Sequence, residues 1–185
     1  MDSGYLVLNK STTTISATNI NLTFGGNGSY TYVSNAIATG SGTLTKDGSS
    51  ALYLVGNNSY TGTTLISAGT VYVGHGNGLG TTDNGTTVSS GAALYLYNNI
   101  TVGAEALSLD AGTFGSSSGS PVFQGVITLT ANATITNLSA DTLFAINSSG
   151  SITGTNKTLT FSGSGVIVVD DPISIGSGGI VVSNN

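Results

Sequence analysis

Between Gly42 and Gly80 the chain reads GTLTKDGSSALYLVGNNSYTGTTLISAGTVYVGHGNGLG, a spelling that leaves no room for a helix. Short runs rich in β-branched and aromatic residues (Thr43-Leu44-Thr45, Ala51-Leu52-Tyr53-Leu54-Val55, Thr64-Leu65-Ile66 and Thr70-Val71-Tyr72-Val73) are parted by Gly, Asn and Ser. Alternation of period two bounded by turn formers predicts brief strands joined by tight turns. Strands this short bury too little by themselves, so they must stack, each coil covering the next.

The same alternation assigns faces. Leu52 and Leu54 fall on one side of their strand and Tyr53 on the other; Val71 and Val73 oppose Tyr72, and Leu94 and Leu96 oppose Tyr95 and Tyr97. The aliphatic set belongs inside. Tyr53, Tyr72 and Tyr95 then point outward, each close to one coil from the next along the chain, and are expected to form a ladder on one outer face. Such a ladder stiffens and shields the sheet, or it offers an aromatic strip for glycans, a host surface or a neighbouring shaft.

Four words carry a resemblance: Gly42-Thr43-Leu44-Thr45-Lys46, Leu52-Tyr53-Leu54-Val55-Gly56, Asn58-Ser59-Tyr60-Thr61-Gly62 and Ala68-Gly69-Thr70-Val71-Tyr72-Val73-Gly74. In this order and spacing the stretch 42–80 resembles the autotransporter-associated β-strand repeat, also called the passenger-associated transport repeat, of secreted bacterial surface proteins. Asp47 and Ser49-Ser50 depart from the family pattern, which usually has Thr and Gly there, and Tyr53 and Tyr72 stand at positions that are often polar. The resemblance implies a right-handed parallel β-helix in an exported passenger and implies no reaction. Coils of roughly 20 residues would divide the chain into about nine, a stack ~40 Å long.

The chain is expected to form one solenoid domain over residues 1–185. Sliding it along itself until Ser3 meets Ala140 (offset 137) aligns 3–48 with 140–185 and gives 11 identities in 46 positions, among them Thr18-Asn19 on Thr155-Asn156 and Leu22-Thr23-Phe24 on Leu159-Thr160-Phe161. Such an offset reads as one unit and the start of the next in a longer array. Met1 to Tyr5 shows no basic start followed by an apolar run, and Ser183-Asn184-Asn185 breaks off in mid-pattern, as expected of a fragment. A stacked array cut from its neighbours presents strand edges, so end-to-end self-association is expected.

Composition narrows the chemistry. Three basic residues against eight acidic ones, in a chain only 6% charged, give no electrostatic footprint for nucleic acid or anionic lipid, and no apolar run approaches the length that spans a bilayer as a helix. Absence of cysteine removes disulfides and thiolate metal sites. Asp170 and Asp171 are adjacent, so on a strand they face opposite ways and make a poor glycosidase pair. His75 sits in a glycine-rich turn with Asp83 as the acid near it, and the GxGxxG-like spelling there is followed by Thr, Asn and Ser rather than by a helix. Gly25-Gly26-Asn27-Gly28 begins a calcium β-roll spelling but lacks its Asp. Lys10, Lys46 and Lys157 are too scattered for a polysaccharide-lyase centre. Sequons such as those at Asn21, Asn27, Asn57, Asn99, Asn132 and Asn156 follow from composition, and Asn57 or Asn58 is expected to bond between coils. No catalytic residue, cofactor or metal ligand is therefore expected. The reading is a shaft, adhesin stalk or self-assembling matrix fibre. Its rivals are a glycan- or host-binding module and a non-catalytic part of a carbohydrate-active β-helix.

Overall fold

A computed structural model describes residues 4–9, 13–147 and 151–184; Lys10 and the Ser11 and Ser148 of the long-offset match lie outside them. Among the described residues there are 23 strands, numbered in chain order, and no helix. Every strand pairing is parallel. The chain is a β-solenoid.

The first face is one nine-stranded sheet: β1 (Tyr5–Leu8), β4 (Tyr30–Val33), β7 (Ala51–Leu54), β9 (Thr70–Val73), β11 (Ala93–Leu96), β14 (Thr113–Ser116), β17 (Ala133–Asn137), β20 (Leu159–Gly163) and β23 (Ile180–Asn184). A second sheet holds β3 (Leu22–Phe24), β6 (Leu44–Lys46), β8 (Thr64–Ile66), β10 (Thr86–Val88), β13 (Leu107–Leu109), β16 (Ile127–Leu129), β19 (Ile152–Gly154) and β22 (Ile173–Ser174). Between these two in chain order come β2 (Thr14–Ser16) with β5 (Ala36–Ala38), and later β12 (Thr101–Val102), β15 (Val122–Phe123), β18 (Leu143–Ile146) and β21 (Val166–Val169). The coils that hold β7 and β9 have no strand at this middle position.

Register in the first sheet runs Tyr5, Tyr30, Ala51, Thr70, Ala93, Thr113, Thr134, Thr160, Val181. Those nine rungs define eight coil steps of unequal length, the shortest from Ala51 to Thr70 and the longest from Thr134 to Thr160. Most steps are slightly longer than the roughly 20 residues expected of such a coil. The long offset between 3–48 and 140–185 pairs strand with strand, β3 with β20 and β6 with β23, and matches positive-φ positions: Asn19 and Asn156 both have φ 55, and Gly26 and Gly163 have φ 101 and 104. It also moves each strand one face further round, since β3 and β6 belong to the second sheet and β20 and β23 to the first.

Inside, one column of the first sheet is Leu52, Val71, Leu94, Phe114 and Ile135, all fully buried, and the next is Val33, Leu54, Val73 and Leu96. The aliphatic residues assigned inward by alternation are inward. Burial of this surface, with each rung's backbone groups bonded to the rungs on either side, holds the stack together.

Candidate functional site

Opposite that core, the outer column of the first sheet is Tyr32, Tyr53, Tyr72 and Tyr95 on four consecutive rungs. The rings of Tyr53 and Tyr72 stack with centroids 4.7 Å apart and planes 12° from parallel, and Tyr72 and Tyr95 stack at 5.7 Å and 27°. Rungs of a parallel sheet are about 4.8 Å apart, so identical residues in register are brought to stacking distance by the backbone alone. Three further tyrosines join them. Tyr5 stacks on Tyr30 at 5.5 Å, Tyr30 meets Tyr53 edge-on at 5.8 Å, and Tyr97 meets Tyr53 edge-on at 6.1 Å. Tyr97 can lie back along the column because Gly74, on the rung between, has no side chain: a Cβ there would stand 2.5 Å from the Tyr97 ring.

Seven of the eight tyrosines therefore form one continuous strip. Burial among its neighbours, with the phenols of Tyr32 and Tyr53 beside it, pushes the Tyr97 phenol up to about 12; burial and adjacent tyrosines also raise Tyr53 and Tyr95. These three phenols are neutral at any physiological pH. In Tyr53, Tyr72 and Tyr95 the ring faces are turned toward one another along the axis, so the column presents ring edges and hydroxyls outward. Beyond β11 the same register column continues as Gly115, Thr136 and Ser162, and the aromatic strip stops.

The other residues weighed for chemistry are not gathered. His75 and Asp83 lie in the loop between β9 and β10, where His75 Nδ1 accepts the Asn77 amide at 3.0 Å and Asp83 accepts the Thr81 hydroxyl at 2.7 Å. Asp170 and Asp171 occupy the turn after β21. Among the described residues no three His, Cys, Asp or Glu side chains are grouped as metal ligands would be, and no helix is long and apolar enough to cross a membrane.

Several polar groups at inward positions are buried in the core. Lys46 is fully buried on the inner side of β6, its Nζ donating to the carbonyls of Asp47 (2.6 Å), Gly48 (2.7 Å) and Ala68 (3.3 Å). Burial lowers its pKa, with Asp47 pulling the other way. Tyr60 and Thr64 share a 2.6 Å hydrogen bond; on the next rung Thr86, the register partner of Thr64, donates to Glu105 Oε1 at 2.8 Å. Glu105 is 2% exposed and its carboxyl is raised to about 7 by burial, the Thr86 bond opposing the shift. Asn58 accepts from the Ile37 amide at 2.9 Å and donates to the Gly78 carbonyl at 2.6 Å, tying three coils together. Asn57 bonds Asn77 at 2.9 Å nearer the surface.

These contacts give the repeat wording its physical content. In Asn58-Ser59-Tyr60-Thr61-Gly62, Asn58 and Tyr60 face the interior, and a side chain at Gly62 would collide with the Gly42 carbonyl of the coil before. No curated protein and no solved structure matches the chain. Residues 44–73, β6 to β9 of the solenoid, match the family model described as the passenger-associated-transport-repeat.

Proposed function

We propose that the chain is a shaft segment of a secreted bacterial surface protein, an adhesin stalk or matrix fibre whose work is mechanical. What carries the reading is the run of eight consecutive parallel registers in the first sheet, through which tension or compression passes by hydrogen bonds from rung to rung. The repeat family, a module of autotransporter passenger domains, supports export to the surface. Coils of this kind add end to end. At one end of the stack β1 exposes Tyr5 and Leu6; at the other, Val166, Ile180 and Val182 rim an apolar hollow of about 720 Å³, and the two ends are surfaces a second copy would cover. Electron microscopy of the purified chain tests this: filaments of uniform width with an axial repeat of about 40 Å are expected, eight coils at rung spacing. A chain that stays monomeric at all concentrations would remove the self-assembling fibre.

A second reading has the tyrosine strip around Tyr53, Tyr72 and Tyr95 recognise a glycan or host surface. Its support is the concentration of seven tyrosines on one face. Because the stacked rings offer edges and hydroxyls, the contact would be made by phenolic hydrogen bonds rather than by sugar rings lying on aromatic faces. Glycan-array binding that survives Tyr53→Ser, Tyr72→Ser and Tyr95→Ser together would dispose of it.

A further inference from the structure

The side chains that ordinarily absorb oxidising equivalents are nearly missing from this chain: it has no cysteine, no tryptophan and one methionine, the N-terminal one. Its readily oxidised groups are the phenols, and seven of those eight touch one another at centroid distances of 4.7 to 6.1 Å. Apart from the exposed Tyr5 the strip is half-buried, so its rings are reachable by a small oxidant yet held by the sheet beneath them.

We infer that the tyrosine strip is an oxidative cross-linking site, in which neighbouring phenols on successive rungs of the first sheet are joined by a carbon–carbon bond. The co-reactant is a one-electron oxidant fed by a peroxide. Each of two rings gives up one electron and its phenolic proton, leaving two phenoxyl radicals. A ring carbon ortho to oxygen on one pairs with its counterpart on the other. Each joined carbon then passes its hydrogen, as a proton, to the ring oxygen, restoring two phenols. The net change is loss of two hydrogens, and the two electrons and two protons reduce one hydrogen peroxide to two waters. Tyr53, Tyr72 and Tyr95 are the first candidates, because parallel in-register strands hold each ring at stacking distance from the next and replace a bimolecular radical encounter by an intramolecular one. A radical formed first at Tyr5, Tyr30, Tyr32 or Tyr97 has an unbroken path to them through Tyr53. The result is a covalent staple between coils on one edge of the solenoid, and the inference holds whether or not the solenoid serves as a shaft.

The experiment is brief illumination of the dilute, folded chain with a ruthenium tris-bipyridyl sensitiser and persulfate as electron acceptor. Dityrosine fluorescence and peptide mass mapping are read. Expected are intrachain peptides two hydrogens lighter that join Tyr53 to Tyr72 or Tyr72 to Tyr95, at a yield at least about tenfold above that of the chain oxidised in denaturant, the proximity gain being large. Tyr72→Phe keeps the ring but offers no phenol, so it should remove both of those products, whereas Tyr60→Phe, in the core, should leave them. Equal yields folded and unfolded, products joining only separate chains, or an unchanged peptide map in Tyr72→Phe would each overturn the inference. If Tyr72→Phe does not fold, Tyr95→Phe serves in its place, losing the Tyr72–Tyr95 product and keeping the other.

Discussion

The coils from β1 to β11 and those from β14 onward are built on the same parallel ladder, yet they put their aromatic rings on opposite sides of it. In the first group tyrosines pave the outside of the first sheet while the matching inner column is Leu52, Val71 and Leu94. In the second group the outer column falls to Gly115, Thr136 and Ser162, and the rings are inside: Phe114 meets Phe123 at 4.9 Å and Phe144 at 5.3 Å, both edge-on. The middle position of the coil contributes, though a strand there does not by itself decide the matter, since β2, β5 and β12 occupy it in tyrosine-bearing coils. Where β15 and β18 form there, their inward Phe123 and Phe144 reach Phe114 across the interior; in the coils of β7 and β9 irregular backbone occupies it, and Asn58, Tyr60 and Leu79 fill the space. The backbone ladder is therefore common to both halves. What varies along the first sheet is whether its own rings face the core, as Phe114 does, or the outside, as Tyr53, Tyr72 and Tyr95 do.

Breaking the ladder itself should cost most. Val71→Asp leaves a carboxylate in an apolar column and should cost on the order of 4 kcal/mol, against a few tenths for Thr70→Asp one position along, as read by denaturant unfolding. Equal effects would mean the two faces are reversed. Next comes the inner ring cluster: Phe114→Ala should cost about 3 to 5 kcal/mol, while Tyr72→Ala on the outside should lose only about 1 kcal/mol of ring–ring contact. If the outer substitution proved the costlier, the strip rather than the core would be holding the first half together. Lys46→Met removes three hydrogen bonds to coil-corner carbonyls that burial keeps from water, and should cost about 1 to 3 kcal/mol.

A pH dependence arises where the two groups of coils meet. Glu105 has a carboxyl raised from 4.5 to about 7 in the fold, with Thr86 as hydrogen-bond partner and the Tyr60 phenol as the other titratable group beside it. The folded chain holds this proton more tightly than the unfolded chain. Its contribution to stability is therefore full below pH 4.5, falls as pH rises toward 7, and levels off above it. Unfolding midpoints across this window should show the fall, and Glu105→Gln should flatten it.

Face assignment was legible in the sequence because alternation is a one-dimensional signal: Leu52-Tyr53-Leu54 and Val71-Tyr72-Val73 state which side each residue takes without reference to any other coil. Stacking of Tyr53 on Tyr72 was legible for the same reason, since equal words at one-coil spacing fall in register. The buried polar column was not. That Thr64 sits beside Thr86 and that Thr86 meets Glu105 depends on coil lengths, which differ as widely as the Ala51–Thr70 and Thr134–Thr160 steps do, and lengthening a single turn changes every such partner. Lys46 was hidden by a different effect: its long apolar stem lets it occupy an inner position between Phe24 and Ile66 while its ammonium reaches the coil corner, so a residue type that is usually exposed behaves here as a core residue. Tyr97 could be placed outward from its strand, but its reach back to Tyr53 rests on the glycine at position 74 of the intervening rung.

The turn asparagines have a direction. Asn19, Asn21, Asn27, Asn99, Asn132 and Asn156 each use Oδ1 to accept a backbone amide from the coil that follows: those of Ser41, Thr43, Ser49, Ser120, Thr158 and Ser177 in turn. These turns therefore give the stack a polarity: at each of them the coil nearer the N-terminus offers a side-chain acceptor and the coil after it a backbone donor, so the two ends of the solenoid are chemically different.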